Sequence, residues 1–291
     1  MLEIGKINRL MVMGLVEQGA YLDGGDKGEV FLPRKHFAKG SVREGAYLQV
    51  FVTREVSGEL VATTQRPLAM RGDFAALKVV DVRPDLGAFL AWGLQKDLLL
   101  PAEEMEFPVH AEQTVVVHLF LDLASDRIFA STRLSHFVDT SAPAYEVGQP
   151  VPLLIVRPTP LGYIALIEGS RLGLLYQDAS ARSLEPGQQV PGYVGALRDD
   201  GKIDLTMDSS GAHRVNALTD QILAALQAAG GKLSLDDSSP PEAIRETFGA
   251  SKKAFKQAIG SLYKQRLITL TRPGIALLRE PTHLKKRGER Y

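Results

Sequence analysis

The stretch Gly19-Ala20-Tyr21-Leu22 returns in register 68 residues later, and no other feature restricts the fold of this chain as much. Gly19 maps onto Gly87, Ala20 onto Ala88, Tyr21 onto Phe89, Leu22 onto Leu90 and Pro33 onto Pro101. The register still holds where Ala62-Thr63-Thr64 meets Ala130-Ser131-Thr132, and a weaker third copy follows around Gly162-Tyr163-Ile164 and Gly173-Leu174-Leu175-Tyr176. Self-similarity at a fixed period implies repeated structural units. A unit of about 68 residues is long enough to enclose a small core of its own.

Within the first unit, residues 7–16, 19–22, 29–32, 47–52 and 60–64 read as strands, rich in β-branched and aromatic residues. They are separated by Asp23-Gly24-Gly25-Asp26 and Ser57-Gly58-Glu59, where glycine supplies the backbone angles of tight turns. Five short strands with such turns predict a small closed barrel. The second unit repeats the order at 75–83, 87–92, 97–101, 114–121 and 127–132, and the third carries a hairpin signal at Asp199-Asp200-Gly201-Lys202.

From about residue 213 the apolar period becomes helical, through Leu218, Ile222, Leu223 and Leu226 to a stop at Gly230-Gly231. Ser239-Pro240-Pro241-Glu242 combines a capping residue, an N-terminal proline and a glutamate three residues after the cap, which predicts a short helix to about Phe248. Ser251 opens a third helix with the apolar stripe Phe255, Ile259 and Leu262. Residues 267–270 and 275–278 then flank Thr271-Arg272-Pro273-Gly274 as a two-stranded ribbon. Three helices closed by a β-ribbon make a winged helix. The chain is therefore expected to be mostly β with a C-terminal α+β domain. The boundaries are 1–67, 70–136 and 145–208 for three barrels, 213–280 for the winged helix, and 281–291 for a basic disordered tail.

The net charge of zero conceals a division. Residues 70–136 carry six basic against ten acidic groups, whereas residues 251–291 carry eleven basic against two acidic. Such asymmetry points one end of the chain at a polyanion. The absence of cysteine excludes disulfides and thiolate chemistry. The N-terminus is not built as a signal peptide, and no apolar run approaches the roughly 18 residues of a membrane span. A cytoplasmic protein without membrane attachment is expected. No His-x-x-x-His pair or Gly-rich phosphate loop occurs, and Glu103-Glu104 reads as a surface pair. The expectation is therefore no enzyme, with no catalytic site, no metal and no cofactor.

The units resemble S1 RNA-binding domains, five-stranded barrels of the OB type. Leu86-Gly87-Ala88-Phe89 and Gly28-Glu29-Val30-Phe31-Leu32-Pro33 correspond to that domain's aromatic-Gly-Ala-aromatic strand and the strand after it. Three such units before a winged helix resemble the conserved virulence factor B family. Ala62-Thr63-Thr64-Gln65-Arg66-Pro67 and the run from Ser251 to Gly260 are particularly similar to it. The resemblance implies S1-like OB-type barrels, RNA binding, a role in regulating gene expression and no catalytic site. Departures are Gln18, Leu86 and Leu161 at the first aromatic position, and Phe31, Leu99 and Tyr176 at the usual histidine. In the third unit Ile164 takes the second aromatic's place, with Tyr163 adjacent.

An OB-type face for RNA needs aromatic platforms for bases and positive charge for phosphates. The candidates are Tyr21 and Phe31 beside Arg34, Lys35 and His36 in the first unit, and Phe89 and Trp92 in the acidic second unit. The third unit offers Tyr163, Arg171 and Tyr176, and the winged helix Lys252, Lys253, Lys256 and Arg272. The expected function is binding of single-stranded RNA by several linked modules in post-transcriptional regulation, with a ribosomal or transcription-machinery partner as a further possibility. The alternatives are a duplex-DNA regulator with the third helix in the major groove, and a scaffold binding proteins.

Overall fold

A computed structural model gives the fold of the 291-residue chain. It describes residues 1–37, 42–141, 144–176, 183–198, 200–207, 209–264, 267–271 and 273–278, without the side chains of 209–217 and 264. The chain divides into two compact units, Met1–Ala142 with Pro152–Pro191, and Pro143–Val151 with Gly192–Tyr291.

The first sheet comprises β1 (Ile7–Val16), β2 (Gly19–Asp23), β3 (Glu29–Pro33), β4 (Tyr47–Arg54) and β5 (Leu60–Thr63), closed as a barrel in the order β1-β2-β3-β5-β4. A single parallel bridge, Phe31 to Val61, closes it. Burial alternates along β2, β3 and β5 where the period of two requires it, whereas β4 buries Val50, Phe51 and Val52 in succession. Ala20, Leu22, Val30 and Leu32 are buried, and the residues between them face outward.

The second sheet comprises β6 (Phe74–Arg83), β7 (Gly87–Ala91), β8 (Leu98–Pro101), β9 (Thr114–Asp122) and β10 (Arg127–Ser131). Its ladder runs β10-β9-β6-β7-β8 and, unlike the closed barrel expected, leaves β8 and β10 unpaired with each other. Side chains complete the enclosure, since Leu98, Leu100 and Ala130 share one core, and Thr132 N donates to Glu104 O at 3.0 Å beyond the strand ends. The repeat is nonetheless kept at residue level. Gly19 faces Pro33, Ala20 faces Leu32, Tyr21 faces Phe31 and Leu22 faces Val30. Gly87 faces Pro101, Ala88 faces Leu100, Phe89 faces Leu99 and Leu90 faces Leu98.

The third sheet, β11 (Pro150–Thr159), β12 (Gly162–Ile167), β13 (Arg171–Tyr176), β14 (Gln189–Leu197) and β15 (Ile203–Thr206), is again a closed barrel. A bulge recurs in the first strand of all three sheets, between Val12 and Gly14, Val79 and Asp81, and Ile155 and Arg157. It gives the long first strand the bend that a small barrel needs.

The first two sheets are packed together by a shared core. Phe51 of β4 lies among Leu77, Val79, Leu90 and Leu98 of the second sheet, and meets Trp92 edge-on at 5.6 Å between ring centroids. Polar ties surround that contact: Arg54 and Lys27 both reach Asp126, at 3.2 and 3.5 Å, and Arg71 reaches Glu3 at 3.1 Å.

The C-terminal domain is α1 (Ser209–Ala228), β16 (Lys232–Leu233), α2 (Pro241–Phe248), α3 (Lys252–Lys264), β17 (Ile268–Leu270) and β18 (Ile275–Leu277), with sheet order β16-β18-β17. Leu218, Ile222, Leu226, Ile244, Phe255, Ile259 and Leu262 form its core with Ile268 and Ile275. Ser251 Oγ accepts the Ala254 N–H at 3.2 Å, as a helix cap should. Ser239 does not cap α2: Pro240 occupies the cap position without a side-chain bond, and Ser239 Oγ instead accepts Asp236 N–H at 2.9 Å. Asp236 also accepts from Ser238 and, at 3.1 Å, from Gly274 N–H in the ribbon turn. Those bonds, Ser238 first, hold its carboxyl down at about 2, so it remains an anionic acceptor at any physiological pH.

Candidate nucleic-acid interface

On the first barrel the outward positions of β2 and β3 bring Tyr21 and Phe31 together, 5.4 Å between ring centroids at an interplanar angle of 49°. Tyr21 is exposed and Phe31 half-buried. Phe31 leans on Gly19, where a side chain would meet its ring at 2.9 Å and Leu32 O at 2.2 Å. The glycine of the repeat is therefore a packing requirement of this pair.

The cationic cluster follows β3 directly as a 3-10 turn, Arg34–His36, anchored by Arg34 N–H donating to Gln18 O at 2.8 Å. Arg34 lies over the Phe37 ring at 4.8 Å, and Lys35 donates to Gln95 of the second sheet. The His36 ring nitrogen Nδ1 lies 3.1 Å from Thr63 Oγ1, and burial, then the neighbouring Lys35 charge, lowers its pKa below 6.5. His36 is thus a neutral ring at pH 7, and the positive charge of the cluster rests on Arg34 and Lys35.

The first barrel carries two further exposed residues outside the expected set. Tyr47, 56% exposed at the start of β4, lies under the Arg9 guanidinium at 4.6 Å, and Met13 is exposed on the bulge of β1. Tyr47 begins an alternating strand, so its outward position was legible from the period alone.

Elsewhere the structure separates the expected residues. Phe89 occupies the Tyr21 position of the second sheet, half-buried, with Arg83 over its ring at 5.1 Å. Trp92 is a correction: it is 5% exposed, donates Nε1–H to Lys96 O at 2.7 Å, and fills the seam against Phe51. Tyr163 is another, at 6% exposure with its hydroxyl accepting Leu184 N–H at 3.1 Å. Both follow from parity. Trp92 lies an odd number of positions from outward-facing Phe89, and Tyr163 pairs with Leu175 in the inward register that Ala20 and Leu32 hold in the first barrel. The outward position of β12 belongs to Ile164, which with Leu172 packs against Val116, Leu134 and Phe74.

Arg171 is the third correction. Its buried guanidinium donates to Asp139 Oδ2 at 2.6 Å, Ser141 O at 2.6 Å and Ser141 Oγ at 2.7 Å, so it fastens the segment after the second sheet rather than facing solvent. Tyr176 is 41% exposed. On α3, Lys253 and Lys256 are exposed, while half-buried Lys252 donates to Ser238 O at 3.3 Å and Lys256 lies 3.8 Å from Asp237. Arg272 and the basic tail lie outside the described residues.

Residues 4–65, the whole first barrel, match the S1 domain, and residues 220–277 match the CvfB-like winged helix domain. Conserved virulence factor B of Staphylococcus saprophyticus is 28% identical over 94% of both chains. The proteins of that name from Staphylococcus haemolyticus and Staphylococcus aureus are 29% and 28% identical over 95% of each chain. The chain is a homologue of the conserved virulence factor B proteins. A solved multidomain protein with nucleic acid binding domains from Streptococcus pneumoniae aligns over 94% of this chain and 98% of its own, at 24% identity and a TM-score of 0.42. Both matched domains of this conserved virulence factor B homologue are nucleic-acid-binding types. Among the described residues no helix is long and apolar enough to cross a membrane.

Proposed function

We propose that the chain is a non-catalytic, cytoplasmic regulator that binds single-stranded RNA, with the outer face of the first barrel as its principal stacking site. One observation carries the reading: an exposed aromatic pair, Tyr21 on Phe31, stands at the mouth of a turn bearing Arg34 and Lys35. Unpaired bases offer a π-face to such a platform, whereas bases in a duplex are already stacked. The alternative is duplex reading by α3, whose Lys253 and Lys256 are exposed.

Tyr21→Ala and Phe31→Ala are each expected to weaken binding of an unstructured RNA by about 1–3 kcal/mol. Titration with the folded variants tests this, and unchanged affinity would reduce both rings to packing residues. A stronger response to duplex DNA than to RNA in the same titration would favour the groove-binding alternative.

The winged helix is assigned the phosphate-neutralising share of the affinity. Lys253→Ala combined with Lys256→Ala should flatten the dependence of log affinity on log salt by about 1.4 units, at about 0.7 per phosphate for a single strand. Because lysine is a flexible point charge, the loss should be similar across RNA sequences. Affinities at several salt concentrations measure it, and an unaltered slope would assign those lysines to solvation alone.

A further inference from the structure

The register that pairs Tyr21 with Phe31 pairs Phe89 with Leu99 in the second sheet. There the outward pair does not face open solvent. It lines a cavity of about 190 Å³ whose far side is supplied by the first barrel, through Thr53, Arg54, Glu55 and Val56 at the end of β4. We propose that this seam is a second subsite, which takes one unpaired nucleobase of the same RNA strand that stacks on Tyr21 and Phe31. The proposal rests on the RNA reading above and adds to it a site shared between two modules.

Size and charge support this occupant. The cavity is smaller than the roughly 300–1,000 Å³ of pockets that hold drug-sized ligands, so it suits a single ring system. Phe89 and Leu99 provide an apolar wall. The ionic groups around it are Arg54, Lys96 and Arg127 against Glu55 and Asp97. That is close to balance, which is poor for a bare phosphate. It offers both donors and acceptors, as the edge of a base requires.

Arg54 is held on the cavity wall by its terminal nitrogens, which donate to Gly58 O at 2.6 Å and Asp126 Oδ2 at 3.2 Å.

One segment also ties the cavity to the first site. The segment between β7 and β8 sends Gln95 to Lys35, at the cationic end of the Tyr21–Phe31 face, and Lys96 to Glu55 on the cavity wall. Two consecutive residues thus span both sites. Beneath them the Phe51–Trp92 contact holds the two modules together. A strand leaving Tyr21 and Phe31 over Lys35 meets the seam next, so the two modules act as one longer platform.

The test uses the full chain and an oligouridine ladder of about 4–16 nucleotides, the site-size range of OB-type barrels, carrying 4-thiouridine for photo-crosslinking. Affinity should rise with length more steeply in the wild type than in Phe89→Ala, which should lose about fivefold or more on the long oligomers and little on the shortest. Crosslinks to the long oligomers should map to residues 89–99 as well as to the first barrel. Lys96→Gln, whose side chain is 75% exposed and does not endanger the fold, should reduce those crosslinks. If Phe89→Ala fails to fold, the Lys96→Gln result and the crosslink map decide. RNA binding that is lost in Tyr21→Ala but indifferent to both seam variants, with no crosslinks at 89–99, would overturn the subsite and leave the RNA reading standing. No RNA binding by the wild type would overturn both.

Discussion

Gly87→Ala should destabilise the second sheet by about 3 kcal/mol or more. Gly87 sits at φ +127, outside the range that L side chains normally adopt, and an added Cβ would lie 2.1 Å from Leu100 O and 2.9 Å from the Pro101 carbonyl carbon. These obstacles are backbone atoms of the strand that Gly87 pairs with, so relief would require opening the β7–β8 ladder. Gly19→Ala meets a similar approach, 2.2 Å to Leu32 O, without the positive φ, and should cost less. Urea unfolding followed through the only tryptophan, Trp92, measures both. A Gly87→Ala midpoint equal to that of the wild type would mean that β7 and β8 do not approach as closely as described.

Trp92→Ala should cost about 3–5 kcal/mol, as loss of a large buried aromatic generally does. The ring is 5% exposed and packs on Phe51, itself 1% exposed and contributed by the neighbouring barrel. Its removal should therefore loosen the first two modules together, with a single shifted transition rather than two. Trp92→Phe should be milder. It retains most of the apolar contact and loses chiefly the 2.7 Å bond from Nε1–H to Lys96 O, worth about 1 kcal/mol. Circular dichroism on both variants reports the transition without the tryptophan. Two separate transitions in the wild type would contradict a shared core.

The aromatic residues show how far the sequence could be read. Tyr21, Phe31 and Phe89 lie in strands that composition and turn signals mark out, and Tyr163 lies in the strand that the third copy of the repeat implies. Which of them meets solvent is a question of parity, and parity was available: residues 20 and 22 are the apolar pair of β2, so 21 faces out, and by the same rule 92 and 163 face in. An aromatic beside the expected position is on the opposite face of the strand, not a substitute for it. Arg171 offered no such signal, because its partners Asp139 and Ser141 lie 32 and 30 residues away and are brought to it by folding alone.

The sequence alone determined the units and their internal register, since the 68-residue repeat of glycine, apolar and proline positions dictates strand pairing through close backbone approach and inward packing. It also determined the change to helical period and the apolar stripe of α3. Only the tertiary structure decided what each outward face meets. The same position is exposed at Tyr21, faces a seam cavity at Phe89 and is packed over at Ile164. The physical reason is that alternation along a strand fixes the side of a sheet on which a residue lies, whereas solvent access depends on neighbouring modules. Those contacts, such as Phe51 on Trp92 and Arg54 on Asp126, join residues 41 and 72 positions apart, beyond the reach of any local pattern.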